Sequence, residues 1–271
     1  MVRLMQQEKL RFSFGQNWKR YLRSFSPQRL EEASQSLREM LGLTTLTDQT
    51  FLDVGCGSGL FSLAAYQLGA TVHSFDFDND SVECAQKLRE KYALDHSWNI
   101  ERGSILDDAY VNRLGTYSIV YSWGVLHHTG NLKQAVANAA SLVAPGGILF
   151  IAIYNDQGST SHRWTKIKEL YNAHSPLRPF LLAGSFMRLW GPSMAKDAAQ
   201  GNPLKSWQHY LNERGMSPWS DLIDWVGGYP FEVAKPEVIF DWCSAQAFEL
   251  IRLKTCAGGI GCNEFVFRKK S

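Results

Sequence analysis

The stretch "FLDVGCGSGLFS", residues 51–62, places Gly55, Gly57 and Gly59 directly after an apolar run. An apolar run of this length that stops at glycine reads as a buried strand leading into a tight turn. Glycine there lets the backbone take positive φ and lets a ligand reach the main chain with no Cβ in the way. The alternative is a tight turn with no ligand at all. In open parallel sheets the ligand lies at the carboxyl ends of the strands, so a first strand–turn–helix junction is the place to look.

Outward from this turn, strands and helices alternate. "TVHSFDF" is a second strand and "SVECAQKLREKY" its helix; "WNIERGSI" is a third strand and "YSIVYSWG" a fourth. A helix over about 132–144 follows, and the turn "APGG" introduces a fifth strand, "GGILFIAIY". This order implies a parallel sheet with helices on both faces, an α/β Rossmann-like fold. Ahead of it, residues 26–42 read as a helix, capped by Ser26, with Pro27 in its first turn and Gly42 at its stop. Leu30, Ala33, Leu37 and Leu41 share one face of that helix. The alternation breaks over 156–228, which is rich in Trp and Tyr and carries helical but no strand pattern. "KPEVIFDWCSAQAF" then reads as a helix, and "ELIRLKTC" and "NEFVFRK" as two last strands.

Composition narrows the class. The 271 residues are 45% hydrophobic with a net charge of +2, too balanced to point to a nucleic-acid partner. No apolar run reaches the roughly 18 residues of a membrane helix, and the start lacks a secretory core. Five cysteines, Cys56, Cys84, Cys243, Cys256 and Cys262, fit neither a disulfide framework nor a zinc pattern. Reduced thiols and a cytoplasmic protein are the expectation. Peripheral contact with acidic lipid through Arg163, Lys166, Lys168, Arg178 and Arg188 stays open beside a plain solvated face, and oligomeric state is not legible.

A dinucleotide fingerprint has the spacing G-x-G-x-x-G. Here it is G-x-G-x-G, with Leu60 where the third glycine of that fingerprint would stand. Asp76, at the end of the second strand, suits a ribose diol, because a carboxylate accepts from both hydroxyls. It also suits a plain helix N-terminal acid. Together these features suggest an adenosine ligand other than NAD.

"LDVGCGSG" resembles the first motif of class I S-adenosylmethionine-dependent methyltransferases. "VHSFDFDNDSVECAQ", "GSILDD", "YSIVYSWGVLHH" and "LVAPGGILFIAIYN" resemble the later motifs in order. The overall pattern is similar to small-molecule methyltransferases of the ubiquinone-biosynthesis type. The resemblance covers about 48–155 and the last two strands. It implies a seven-stranded sheet with its last strand antiparallel and a helical lid insertion. The implied division is 1–47 closing over the cofactor, 48–155 as the binding core, 156–228 as substrate lid and 229–271 completing the sheet.

By that resemblance S-adenosyl-L-methionine is the cofactor. Gly55, Gly57 and Gly59 lie against its methionine part, and Asp53 holds the ammonium. Asp76 binds the ribose, Phe77 lies on the adenine, and Ser104 and Ile105 border its edge. Ser122, Trp123 and Gly124 line the route to the acceptor. Trp18 and Asn17 are front-end lid residues, or belong to a helix merely docked on the sheet. His127 and His128 follow the fourth strand, and either is a candidate general base, since histidine titrates in the useful range; the alternative is that one packs and one faces solvent. Adjacent histidines with no third ligand nearby argue against a metal. Tyr154, Asp221, Asp224, Trp225, Tyr229 and Glu232 are candidate acceptor contacts, though Asp221 also fits helix-end charge.

O-methylation of a small hydroxyl compound is the expectation. Methylation of an amine or a protein side chain is the alternative, with the three acids receiving a cation. An NAD-dependent oxidoreductase or a non-catalytic cofactor-binding protein is the reading from another class.

Overall fold

The computed structural model describes residues 10–15, 25–92, 97–214 and 218–271, with side chains of 211–214 left aside. Trp18 and Asn17 lie outside the described residues. Helix α1 (Pro27–Leu41) starts where Ser26 Oγ accepts from Arg29 N–H and ends at Gly42 in the left-handed region. Its apolar face, Leu30, Ala33, Leu37 and Leu41, is buried.

The core alternates as β1 (Thr50–Val54), α2 (Leu60–Gln67), β2 (Thr71–Asp76), α3 (Asn79–Tyr92) and β3 (Trp98–Arg102). It continues with α4 (Asp108–Arg113), β4 (Tyr117–Trp123), a 3-10 turn (Leu126–His128), α5 (Leu132–Ser141) and β5 (Val143–Tyr154). Four helices follow: α6 (Ser159–Ala173), α7 (Arg178–Ala199), α8 (Lys205–Arg214) and α9 (Pro218–Gly227). Then α10 (Pro236–Ser244), β6 (Phe248–Lys254) and β7 (Cys262–Lys269) close the chain.

The seven strands lie in the order β3-β2-β1-β4-β5-β7-β6. All neighbouring pairs from β3 to β5 are parallel; β7 runs antiparallel to both β5 and β6. This is the expected mostly parallel sheet with its last strand reversed. The order turns back between β1 and β4, and the crevice at that switch point is where such sheets bind ligands.

Two expectations differ: Lys168, read as part of a solvated or lipid-touching face, is fully buried, and the fifth strand begins earlier than expected. The "APGG" turn belongs to β5 itself: Tyr117 pairs with Val143 and Ile119 with Ile148, so the strand bulges there. Gly146 takes φ +74, and a Cβ on Gly147 would stand 2.8 Å from the Ser118 carbonyl, which explains both glycines.

Alternating strand residues divide the core in two. One face packs Leu52, Val54, Val120, Leu149 and Ile151 against α5 and α10; the other packs Phe51, Val72, Ile119 and Phe150 against α1, α2 and α3. Helices α6, α7 and α9 form a third apolar cluster around Trp164, Tyr171, Leu222 and Val226, which also takes in Tyr154 and Phe231. At its centre the fully buried Lys168 lies 4.5 Å from the Trp225 ring and 4.6 Å from the Phe231 ring, and its ammonium donates to the Trp225 carbonyl. Asn172 donates to the Gly227 carbonyl at 2.7 Å. Two side chains of α6 thus satisfy carbonyls at the end of α9, where no intrahelical donor remains. Among the described residues no helix is long and apolar enough to cross a membrane.

Candidate active site

A cavity of about 1520 Å³ opens at the carboxyl ends of β1, β2 and β4 and extends to α7, α8, α9 and the β6–β7 loop. Its floor is the glycine turn. Gly55, Gly57 and Gly59 all have positive φ, of 76°, 53° and 81°. The Gly55 and Cys56 amides donate to the Phe75 carbonyl at 2.8 and 3.1 Å, which stitches the turn to β2. A Cβ on Gly55 would stand 2.3 Å from Val125 Cγ1, and one on Gly59 would stand 2.9 Å from Ala85 Cβ. Gly55 and Gly57 line the cavity, whereas Gly59 turns to α3 and starts α2.

Two carboxylates flank the turn. Asp76 accepts the Gly57 N–H at 3.0 Å on Oδ2 and the Asp78 N–H at 2.9 Å on Oδ1. Burial pushes its pKa up to about 6 against the help of those two donors. Asp53 is buried and accepts the Ser62 hydroxyl at 2.5 Å; burial pushes its pKa up to about 7, the Ser62 bond opposes this, and the Asp76 charge adds to it. A carboxylate offers about four lone-pair positions. Asp76 has spent two of them on the backbone, which leaves capacity for a diol.

Phe77 lies exposed on the cavity wall between Arg11, 4.5 Å from its centroid, and Arg102, at 5.7 Å. Ser104 and Ile105 line the same end. Trp123 and Gly124 border the cavity beyond β4. Ser122, one residue earlier, points the other way: it is fully buried and its hydroxyl donates to the Val54 carbonyl at 2.9 Å.

The histidines separate. His127 has 0% exposure; its Nδ1 accepts the Tyr154 N–H at 3.3 Å and its ring lies 4.0 Å from that of Tyr154. Its Nε2 finds no hydrogen-bond partner among the described residues, and burial drives its pKa well down. His128 lines the cavity. Its Nδ1 lies 2.6 Å from the Pro230 carbonyl, so Nδ1 carries the proton and Nε2 is left as acceptor. Burial, and after it the Lys168 cation, lower its pKa to about 3.

Of the expected acceptor contacts, Tyr154, Asp221, Asp224 and Trp225 line the cavity; Tyr229 and Glu232 do not. Asp221 accepts the Tyr210 hydroxyl at 2.5 Å. Glu232 accepts the Leu132 N–H at 3.0 Å at the start of α5, so it serves a helix end.

The sequence reading missed several lining residues. Residues 11–15 form a strap over the rim: the Phe12 N–H donates to the Tyr229 carbonyl at 2.9 Å, and the Ser13 hydroxyl and Gly15 N–H each donate to Asp78 Oδ2 at 3.1 Å. Arg11 donates to the Thr129 carbonyl at 2.9 Å. Tyr121, which pairs with Asp53 across β4 and β1, was legible as the residue two before Trp123 on the same strand face. His209 and Glu264 come from a remote helix and from β7, and no local signal marked them, whereas Trp190 belongs to the aromatic-rich stretch expected as a lid.

A family model described as a methyltransferase domain matches residues 19–221. The chain is 28% identical over 141 residues to a ubiquinone biosynthesis O-methyltransferase of Parvibaculum lavamentivorans, covering 50% of this chain and 54% of that protein. It is 30% identical over 135 residues to the Bordetella avium protein of the same name, covering 49% and 52%. The chain spans about half the length of the curated relatives it matches. Among solved structures, an N-methyltransferase from Bradyrhizobium japonicum in complex with S-adenosylhomocysteine aligns with a TM-score of 0.53 at 15% identity, over 96% of this chain and 100% of that one. Magnesium protoporphyrin IX methyltransferase from Synechocystis aligns with a TM-score of 0.52 at 16% identity, over 90% and 83%. At such identities the structural likeness speaks for the fold.

Proposed function

The chain belongs to the methyltransferase-domain family, and from that membership we propose that it transfers the methyl group of S-adenosylmethionine to the hydroxyl of a small molecule. The observation that carries this reading is the placement of the bare turn, Asp53 and Asp76 on one wall of a cavity whose far wall is aromatic. Two carboxylates beside a glycine turn repel a pyrophosphate and attract a cation, which favours an ammonium-bearing sulfonium over a dinucleotide. Gly55 and Gly57 offer bare backbone to the amino-acid part, Asp53 its charge to the ammonium, and Asp76 its remaining lone pairs to the ribose. Phe77, Ser104 and Ile105 frame the adenine. When bound, the donor supplies an electrophilic methyl carbon on sulfur.

The protein's own part is to orient the acceptor, exclude water and move one proton. Trp123, Tyr154, Trp190 and Trp225 give the acceptor an apolar chamber, as small-molecule pockets generally have. His128 Nε2 takes the hydroxyl proton. Its low pKa keeps that nitrogen unprotonated across ordinary pH, and an oxygen that has begun to bond to carbon becomes a strong enough acid for a weak base. His127 holds the Tyr154 backbone rather than touching the acceptor. Asp221 and Asp224 line the cavity and Glu232 does not, so what favours a hydroxyl over an amine is the likeness to relatives named ubiquinone biosynthesis O-methyltransferases.

The division we propose has 48–155 and 229–271 as the donor-binding sheet. Residues 156–228 cover the acceptor end, and the segment 1–47 closes over the donor, a role the strap at 11–15 supports.

Calorimetry with S-adenosylhomocysteine and NAD tests the donor, and a labelled-methyl assay against phenols, quinols and amines tests the acceptor. Binding of the homocysteine compound and label on hydroxyl compounds are expected. Binding of NAD alone, or label on amines alone, would overturn the reading.

A further inference from the structure

Behind Asp53 lies a chain of hydrogen bonds that crosses four elements. Trp98 Nε1 on β3 donates to Ser74 Oγ on β2 at 2.8 Å. Ser74 donates to Ser62 Oγ on α2 at 2.7 Å, and Ser62 to Asp53 Oδ2 on β1 at 2.5 Å. Exposure is 1% for Trp98, 0% for both serines and 2% for Asp53.

The direction of this chain is forced. An indole N–H only donates and an ionised carboxylate only accepts, so each hydroxyl between them must pass its proton toward Asp53. A protonated Asp53 would meet a donor where it needs an acceptor only if the proton sat on Oδ2, so the relay also dictates which oxygen stays bare. Hydrogen bonds ending on a charged group are the short, strong kind, and chains of them polarise one another.

We infer that Ser62, Ser74 and Trp98 form a one-way donor relay that favours the ionised form of Asp53 and fixes its orientation to receive the ammonium group of the donor's amino-acid part. Ser62 is then a positioning residue, acting through Asp53. This rests on the donor-binding reading above. The titratable groups facing Asp53 are the Asp76 carboxyl from β2, the Cys56 thiol from the turn and the Tyr121 hydroxyl from β4. Burial keeps the thiol and the phenol neutral, so Asp76 is the only other charge among them, and it opposes ionisation of Asp53. Without the relay, the Ser62 backbone N–H would be left to oppose burial and Asp76.

Calorimetry across roughly pH 5.5 to 8.5 with S-adenosylhomocysteine and with 5′-methylthioadenosine decides the matter. The second compound keeps adenine and ribose but lacks the ammonium, so Asp76 affects both and Asp53 only the first. In the native protein, affinity for the first compound should fall as pH drops through about 7, by about tenfold per unit. Ser62→Ala should move that midpoint upward and weaken the compound at least about tenfold at neutral pH, while sparing 5′-methylthioadenosine. Trp98→Phe, which keeps an aromatic ring and removes only the terminal donor, should shift the midpoint in the same direction by less, and it serves as the test should Ser62→Ala misfold. Superimposable pH curves in both variants, or equal weakening of the two compounds, would overturn the relay. If Asp53→Asn weakens S-adenosylhomocysteine while the relay variants do not, the relay alone is wrong. If the native protein fails to bind it, the donor reading itself falls.

Discussion

Replacing Asp76 with alanine tests the donor site at its most defined atom pair. In the free protein the carboxylate already holds the Gly57 and Asp78 amides, at 3.0 and 2.9 Å, one on each oxygen. The variant therefore loses two things: the acceptor positions left for a ribose diol, and one of the ties between the glycine turn and the end of β2. Hydrogen bonds to a charged group are worth about 1.5–3 kcal/mol net. Taking that range for the loss, the Kd for S-adenosylhomocysteine should rise roughly 10- to 150-fold. Melting temperature should fall as well, because the Gly57 amide loses its partner. Asp76→Asn should bind better than the alanine variant but worse than the native protein, since one of its two heads is a donor facing a backbone N–H. With the pKa of Asp76 near 6, native affinity should also decline below that pH as the acceptor is protonated. Calorimetry on folded protein, checked by circular dichroism, is the assay. A folded alanine variant with native Kd would remove Asp76 from the site and the ribose assignment with it.

Gly55→Ala should cost about 1–2 kcal/mol for its left-handed backbone and a further 1–3 kcal/mol or so for overpacking against Val125; Val125→Ala in the same chain, which removes both clashing methyls and keeps the Cβ, should recover part of the second cost in urea unfolding and leave the first. Lys168 titrates near 7 when folded, lowered by burial and partly held up by Asp224, while an unfolded lysine keeps its proton to about 10. The unfolded chain binds more protons between those values, so stability should rise with pH from about 7 to about 10. Lys168→Met should abolish that rise, and an unchanged pH slope would show that Lys168 is not buried as described. His128→Ala should slow turnover with S-adenosylhomocysteine affinity intact. His127→Ala should lower the melting temperature, since it removes the acceptor of the Tyr154 amide and leaves a cavity; full turnover in the His128 variant would end its role as base.

The strands in chain order, the turn and the two carboxylates beside it were legible from residue order because their signals are local. A run such as "FLDVG" is a strand by its own apolarity, and Gly55, Gly57 and Gly59 mark a bend whatever lies far away. Asp76 is found by counting from that bend. The bulge in β5 was not legible, since it exists only against the register of β4.

What tertiary structure alone decided is which way neighbouring side chains point. Ser122 and Trp123 are adjacent, yet one is buried against Val54 and the other borders the cavity, because successive strand residues face opposite sides of the sheet. His127 and His128 part company for a related reason: Tyr154 claims the first and the Pro230 carbonyl orients the second, partners 27 and 102 residues away. Glu232 became a helix cap through Leu132, 100 residues off. The relay behind Asp53 joins β3, β2, α2 and β1, and Ser62, Ser74 and Trp98 carry no shared spacing to announce it. Backbone conformation follows from near neighbours and their volumes; the role of a polar side chain follows from the atoms that packing brings to it from elsewhere in the chain.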